Sequence, residues 1–102
     1  MELDSIRERL SAADAALIDA LAARQRLVVE VAQVKASGSA ALRDVSREED
    51  VLTRVGELGR ESGLDPFHVT RLFREILGHS LRTQESLLAP GERARLHAHL
   101  AE

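Results

Sequence analysis

Residues 3–35 read LDSIRERLSAADAALIDALAARQRLVVEVAQVK, thirty-three positions without a proline or a glycine. Read as heptads, one seam collects Leu3, Leu10, Leu17, Arg24 and Val31. The other collects Ile6, Ala13, Ala20, Leu27 and Val34. Apolar residues alternately three and four positions apart mark a long helix that packs lengthwise against another helix. At 1.5 Å per residue the stretch spans roughly 50 Å. A compact monomer of about 100 residues has a radius of gyration of only about 13 Å, so this helix would overhang its own domain. A second copy of the chain is the simplest cover for the overhang, and a homodimer is expected on geometry alone.

Outward from that stretch the chain has clear punctuation. Ser37-Gly38-Ser39 ends the first helix, and a small loop runs to Leu42. A second helix is expected to begin near Asp44 to Ser46. Ser46 and Glu49 have capping-box spacing and Asp44 is a rival cap. Its apolar stripe is Val51, Leu52, Val55 and Leu58, and Ser62-Gly63 closes it. Asp65-Pro66 then reads as an N-cap followed by a first-turn proline. The third helix is expected from Pro66 to about Leu88, with Leu72, Phe73, Ile76, Leu77, Leu81, Leu87 and Leu88 on its stripe, before Pro90-Gly91 stops it. Residues 1–89 therefore read as one all-α domain of three helices, intertwined with a second copy. Residues 90–102 read as a tail that forms a short helix or frays.

Composition agrees and narrows the function classes. Aromatic residues are only 2% of the 102, with no Trp or Tyr, so the core is aliphatic, a mixture that favours helices over strands. Absence of cysteine removes disulfides, thiolate catalysis and thiolate metal sites. A net charge of −3 with no basic face argues against nucleic acid as a partner. No apolar run approaches the roughly 18 residues of a membrane span. The start, Met1-Glu2-Leu3-Asp4, is acidic and unlike a signal peptide. A cytoplasmic location is the expectation.

Four polar side chains fall on stripes that should be apolar. Arg24 sits on an inner seam. Lys35 follows eleven residues later, almost three full turns, so both cations leave nearly the same face roughly 16 Å apart. Ser80 and Gln84, one turn apart, continue the stripe of the third helix. Buried polar groups without partners cost free energy, and four together imply a polar guest or mutual satisfaction. Taken singly, each has an ordinary explanation. Arg24 could snorkel or pair with a carboxylate, Ser80 could bond back to its own helix, and Gln84 could be a satisfied core amide. Composition sharpens the case for Lys35: of 14 basic residues it alone is lysine. An ammonium and a guanidinium are not equivalent donors. Arg7 precedes Arg24 by seventeen residues, roughly 25 Å along the axis. It can serve the same site only from a partner chain. Histidines carry little: His68 and His79 read as surface residues, and His97 and His99 have poor helical spacing for a shared metal.

These stretches resemble the all-helical class of chorismate mutases, over roughly Ile6 to Leu88. The resemblance is carried by Ile6-Arg7, Leu17-Ile18-Asp19 and Leu21 to Lys35. It continues through Arg43-Asp44-Val45-Ser46-Arg47-Glu48, Gly63-Leu64-Asp65, Thr70-Arg71-Leu72-Phe73 and Ser80 to Leu88. It implies an isomerase of the shikimate pathway, in aromatic amino-acid biosynthesis, that takes chorismate to prephenate. It also implies roles for particular residues. Arg24, with Arg7 from the other subunit, would bind the two carboxylates. Lys35 would bind a carboxylate and the ether oxygen, and Gln84 would donate to that same oxygen. Glu48 and the backbone near Asp44 would hold the ring hydroxyl, while Arg47 and Ser80 would complete the carboxylate contacts. No cofactor and no metal is expected, because the rearrangement is intramolecular. Two neighbouring activities remain open, rearrangement of 4-amino-4-deoxychorismate and removal of pyruvate from isochorismate. A non-catalytic helical dimerisation module would satisfy the heptads but not the inward-facing polar set.

Overall fold

The protein is described by a computed structural model covering residues 2–36 and 44–87. Among these residues the structure consists of α1 (Glu2–Ala36), α2 (Val45–Glu61) and α3 (Pro66–Ser86), with no strand. The first helix starts one residue before its apolar repeat, with Glu2 and Asp4 in its first turn and Lys35 in its last. Both placements suit the helix dipole. Leu88, Pro90-Gly91, the tail with His97 and His99, and the loop from Ser37 through Arg43 lie outside the described residues.

Of the two rival caps for α2, Asp44 is the one used. Its Oδ1 accepts from the Arg47 N–H at 2.9 Å, and its carbonyl accepts from the Glu48 N–H at 3.0 Å. The other end of α2 closes on a left-handed glycine. Gly63 has φ +81°, Leu64 N–H donates to Gly59 O at 2.8 Å and Gly63 N–H to Arg60 O at 3.1 Å. This paired pattern satisfies two carbonyls that the helix end would otherwise orphan. Two residues later Asp65 caps α3 through the Phe67 N–H at 2.9 Å, with Pro66 in the first turn.

So short a turn makes α2 and α3 an antiparallel hairpin, and glycine sets how closely they approach. A Cβ at Gly59 would lie 2.8 Å from Val69 Cγ2 and 3.2 Å from its Cβ, and one at Gly56 would lie 3.3 Å from Thr70 Oγ1. Valine is stiff about χ1 and cannot swing clear. Gly59→Val is therefore expected to destabilise the fold by about 1–3 kcal/mol. A lower urea midpoint at fixed chain concentration, with an unchanged slope, would register it; an unchanged midpoint would mean that the helices can part without cost.

Only the C-terminal half of α1 is packed. Val28 and Ala32 are the buried apolar residues among those described, and both face the hairpin from α1. Every described residue from Glu2 to Ala23 is exposed. The heptad seams are present but uncovered: Leu10 is 58% exposed, Leu17 63% and Val34 70%. The reason is length, since α2 and α3, of 17 and 21 residues, cannot line a helix of 35. The result is a 59 Å long molecule with a radius of gyration of 17.3 Å, well above the roughly 13 Å of a compact chain this size. The stripes of α2 and α3 are half-buried at Val51, Leu52, Val55, Phe73, Ile76, Leu77 and Leu81. Leu58, Leu72 and Leu87 are exposed.

Candidate active site

Where α1 crosses the hairpin, a cavity of about 330 Å³ opens between all three helices. Its apolar wall includes Val28 and Val31 from α1, Val51 from α2 and Leu77 and Leu81 from α3. Its polar lining is Arg24, Lys35, Asp44, Arg47, Glu48, Ser80 and Gln84. Seven of the eight residues singled out in the sequence thus converge on one cavity, drawn from three helices and one cap.

Each is placed by its element. Arg24 donates through Nη1 to Ser80 Oγ, which itself donates to the Ile76 carbonyl at 2.8 Å. Back-bonding by Ser80 is therefore real and does not exhaust the hydroxyl, whose lone pair takes the arginine. Ser80 is only 5% exposed. Burial lowers the pKa of Arg24, but a guanidinium starts so high that it keeps its charge. One turn on, Gln84 Nε2 donates to the Ser80 carbonyl at 3.4 Å, while the buried Oε1 has no hydrogen-bond partner among the described residues. A buried amide oxygen left unpaired costs about 1–3 kcal/mol.

Asp44 spends its carboxylate on the α2 cap, which fixes where the first turn of that helix begins. Arg47 and Glu48, in that turn, are thereby aimed at the end of α1 that carries Lys35. Arg47 is exposed and Glu48 half-buried. Arg7 is the residue that does not join the set. It lies on the exposed half of α1, 4.0 Å from Asp4, both side chains 67% exposed. Seventeen residues of rigid helix hold it about 25 Å from Arg24.

Desolvation lowers the pKa of Lys35, and the negative charges of Asp44 and Glu48 partly oppose it. The sign has two consequences. An unfolded lysine keeps its proton to higher pH than this one, so over the intervening range the unfolded state binds more protons, and stability rises with pH. Affinity for a dianion moves the other way, because deprotonation removes a positive charge from the cavity. Binding of a dicarboxylate mimic is expected to weaken with rising pH, beginning below the ordinary lysine value of about 10.4. Titration calorimetry of Lys35→Arg beside the parent would check it. The parent should show the inflection and the arginine variant should not.

Sequence reasoning missed one pairing. Gln25 Nε2 donates to Thr83 Oγ1 at 3.0 Å, a second polar bridge from α1 to α3. Its signal was the adjacency of Gln25 to Arg24 and the one-turn spacing of Thr83 from Ser80. His68 and His79 are exposed as expected. Among the described residues no group of three His, Cys, Asp or Glu side chains could hold a metal, and no helix is long and apolar enough to cross a membrane.

Fold and site together define an all-helical protein with a pocket lined by three cations, two carboxylates and two neutral polar side chains. Residues 6–85 match the family described as chorismate mutase type II, and the chain belongs to that family. Over 84 residues it is 42% identical to the bifunctional chorismate mutase/prephenate dehydratase of Escherichia coli K12. That match covers 82% of this chain and 22% of the relative. It is 39% identical over 97 residues to the enzyme of the same name from Enterobacter agglomerans, covering 95% and 25%. A 4-amino-4-deoxychorismate mutase of Streptomyces pristinaespiralis is 28% identical over 89 residues, covering 87% and 69%. The chain spans only about a quarter of the length of the bifunctional relatives it matches.

Proposed function

We propose that the chain catalyses the rearrangement of chorismate to prephenate as a homodimer, in the cytoplasm. The observation that carries this reading is the convergence of Arg24, Lys35, Arg47, Glu48, Ser80 and Gln84 on one cavity. Family membership supports it.

The reaction is an intramolecular Claisen rearrangement: a C–O bond breaks, a C–C bond forms, and no proton need move. Two contributions remain for the protein. The first is orientation. Arginine forks on both carboxylates hold the enolpyruvyl group over the ring, close to the reacting geometry. Arg24, kept in place by Ser80, is one clamp on this side of the cavity. Arg47 assists from α2. The second is electrostatic. Negative charge grows on the ether oxygen as its bond to the ring breaks, and fixed donors there favour the transition state over the ground state. Lys35 supplies an ammonium from α1, and the Gln84 amide supplies an N–H from α3. Glu48 and the Asp44 backbone face the ring hydroxyl.

Several features support the dimer. The exposed seams on Glu2 to Ala23 are apolar, and each leucine removed from water contributes about 1.5–3 kcal/mol. A two-fold axis across α1 would cover those seams and bring the partner's N-terminal half towards this cavity. Arg7 then reaches the site from the other chain and provides the second carboxylate clamp.

The Streptomyces relative favours a second reading, in which the substrate is 4-amino-4-deoxychorismate. Both molecules carry the same carboxylates and ether, so the cations do not choose between them; Glu48, facing the ring substituent, does. Incubation with chorismate, 4-amino-4-deoxychorismate and isochorismate in turn, with products separated, decides. Prephenate from chorismate without free pyruvate is the expected outcome. Rearrangement of the amino analogue alone, or release of pyruvate from isochorismate, would replace the reading.

A further inference from the structure

Two polar bonds join α1 to α3 beside their apolar contacts. Apart from Val28 and Ala32 no apolar side chain of the described residues is buried, and an apolar contact tolerates sliding that a hydrogen bond does not. Arg24–Ser80 gives one point of registration. A single point leaves a pivot, about which the helices could still rotate. Gln25–Thr83 gives the second, displaced along α3 by three residues, about 4.5 Å. Its partners are 58 positions apart in sequence and both half-buried. Neither lines the cavity, yet each adjoins a residue that does: Gln25 follows Arg24 and Thr83 precedes Gln84. Gln25 lies instead in the groove on the far side of Arg24, beside Ile76 and His79.

The geometry points to Gln25 and Thr83 as a positioning pair that holds Lys35 of α1 and Gln84 of α3 at the separation needed to meet on one oxygen atom. This rests on the mutase reading for its catalytic consequence. Arg24 must turn some of its donors to a substrate carboxylate, so its bond to Ser80 is the one that a ligand perturbs. Gln25–Thr83 stands outside the cavity, where neither side chain is needed by a ligand. Displacing reacting groups by about 1 Å costs up to 100-fold in rate, so loss of this bond should appear in turnover rather than in binding.

The test is Thr83→Val, which removes the hydroxyl at nearly constant shape, beside Thr83→Ser, which keeps it. Expected for Thr83→Val is a kcat about tenfold or more below the parent with KM within about twofold, since carboxylate clamping survives. Thr83→Ser should restore kcat. Gln25→Leu should match Thr83→Val, and the double variant should be no worse than either single one, because both remove the same bond. A second readout needs no catalysis. The chain has no cysteine, so Glu30→Cys and Arg74→Cys, at exposed positions on α1 and α3, can carry spin labels. With labelled chains diluted into unlabelled ones, Thr83→Val should broaden the α1–α3 distance distribution and Thr83→Ser should not. A parental kcat in Thr83→Val, a loss that Thr83→Ser shares, or an unbroadened distribution overturns the pair. If the parent itself fails to turn over chorismate, the mutase reading falls, and the distance measurement still decides the pair.

Discussion

Lys35→Ala is expected to lose turnover by about 10²–10³-fold, the usual consequence of deleting one fixed donor to a developing oxyanion, while helical content and oligomeric state stay as in the parent. Structure should survive because Lys35 occupies the last turn of α1 and is partly desolvated. Replacing a half-buried ammonium with a methyl group relieves that desolvation and leaves the α2 and α3 caps untouched. Catalysis should not survive, because no other lysine exists in the chain to replace it. Lys35→Arg makes the comparison sharper. It retains the charge, so carboxylate binding should largely persist, but a planar fork does not put a compact charge where an ammonium would stand. Steady-state kinetics beside circular dichroism would separate the two effects. A Lys35→Ala protein within about threefold of parental kcat/KM would remove Lys35 from the ether oxygen and, with it, the electrostatic half of the mechanism.

Mixing two inactive variants should restore activity. Arg7→Ala and Arg24→Ala are each expected to be nearly inert, since each loses a carboxylate clamp. Suppose Arg24 serves its own chain's site and Arg7 serves the partner's. A mixed dimer then has one site with both arginines, both supplied by intact positions, and one site with neither. At equal concentrations about half the dimers are mixed, so about a quarter of all sites should be intact. Activity near a quarter of the parent, appearing only after the chains are allowed to exchange, is the expected result. No recovery, with mixed dimers demonstrated by mass spectrometry, would place Arg7 outside the site. The prediction draws on the observed position of Arg7, about 25 Å along a straight helix from Arg24, a separation that no small dicarboxylate bridges within one chain.

Much of the architecture was readable because local signals and long-range pattern agreed. The heptads, interrupted only at Arg24, gave α1, and the Asp65-Pro66 and Ser62-Gly63 pairs gave the hairpin turn to within a residue. The start of α2 was open between Asp44 and Ser46, because both side chains can cap; which one bonds depends on the path of the preceding chain. The close approach at Gly59 was not readable, since a glycine within a helical stretch looks like weak propensity until Val69 is placed against it. For the site, Arg24, Lys35, Ser80 and Gln84 stood out as polar residues on apolar stripes. Arg47 and Glu48 did not, being charged residues in an exposed first turn, and only the family resemblance singled them out. Gln25–Thr83 was missed because neither member breaks an apolar stripe. A bond between two ordinary surface-type residues becomes visible only once the helices are crossed.

The unbroken run of α1 carries a constraint of another kind. If Arg7 serves one site of a dimer and Arg24 the other, the sixteen intervening residues act as a spacer with a fixed phase. One residue added or removed there would turn Arg7 by about 100° and shift it by about 1.5 Å, while leaving every side chain chemically intact. Seven would bring it back to nearly the same face, roughly 10 Å too far along. Between these two arginines the chain is therefore free to change its letters far more than its count, and a helix without loops offers no place to absorb an insertion.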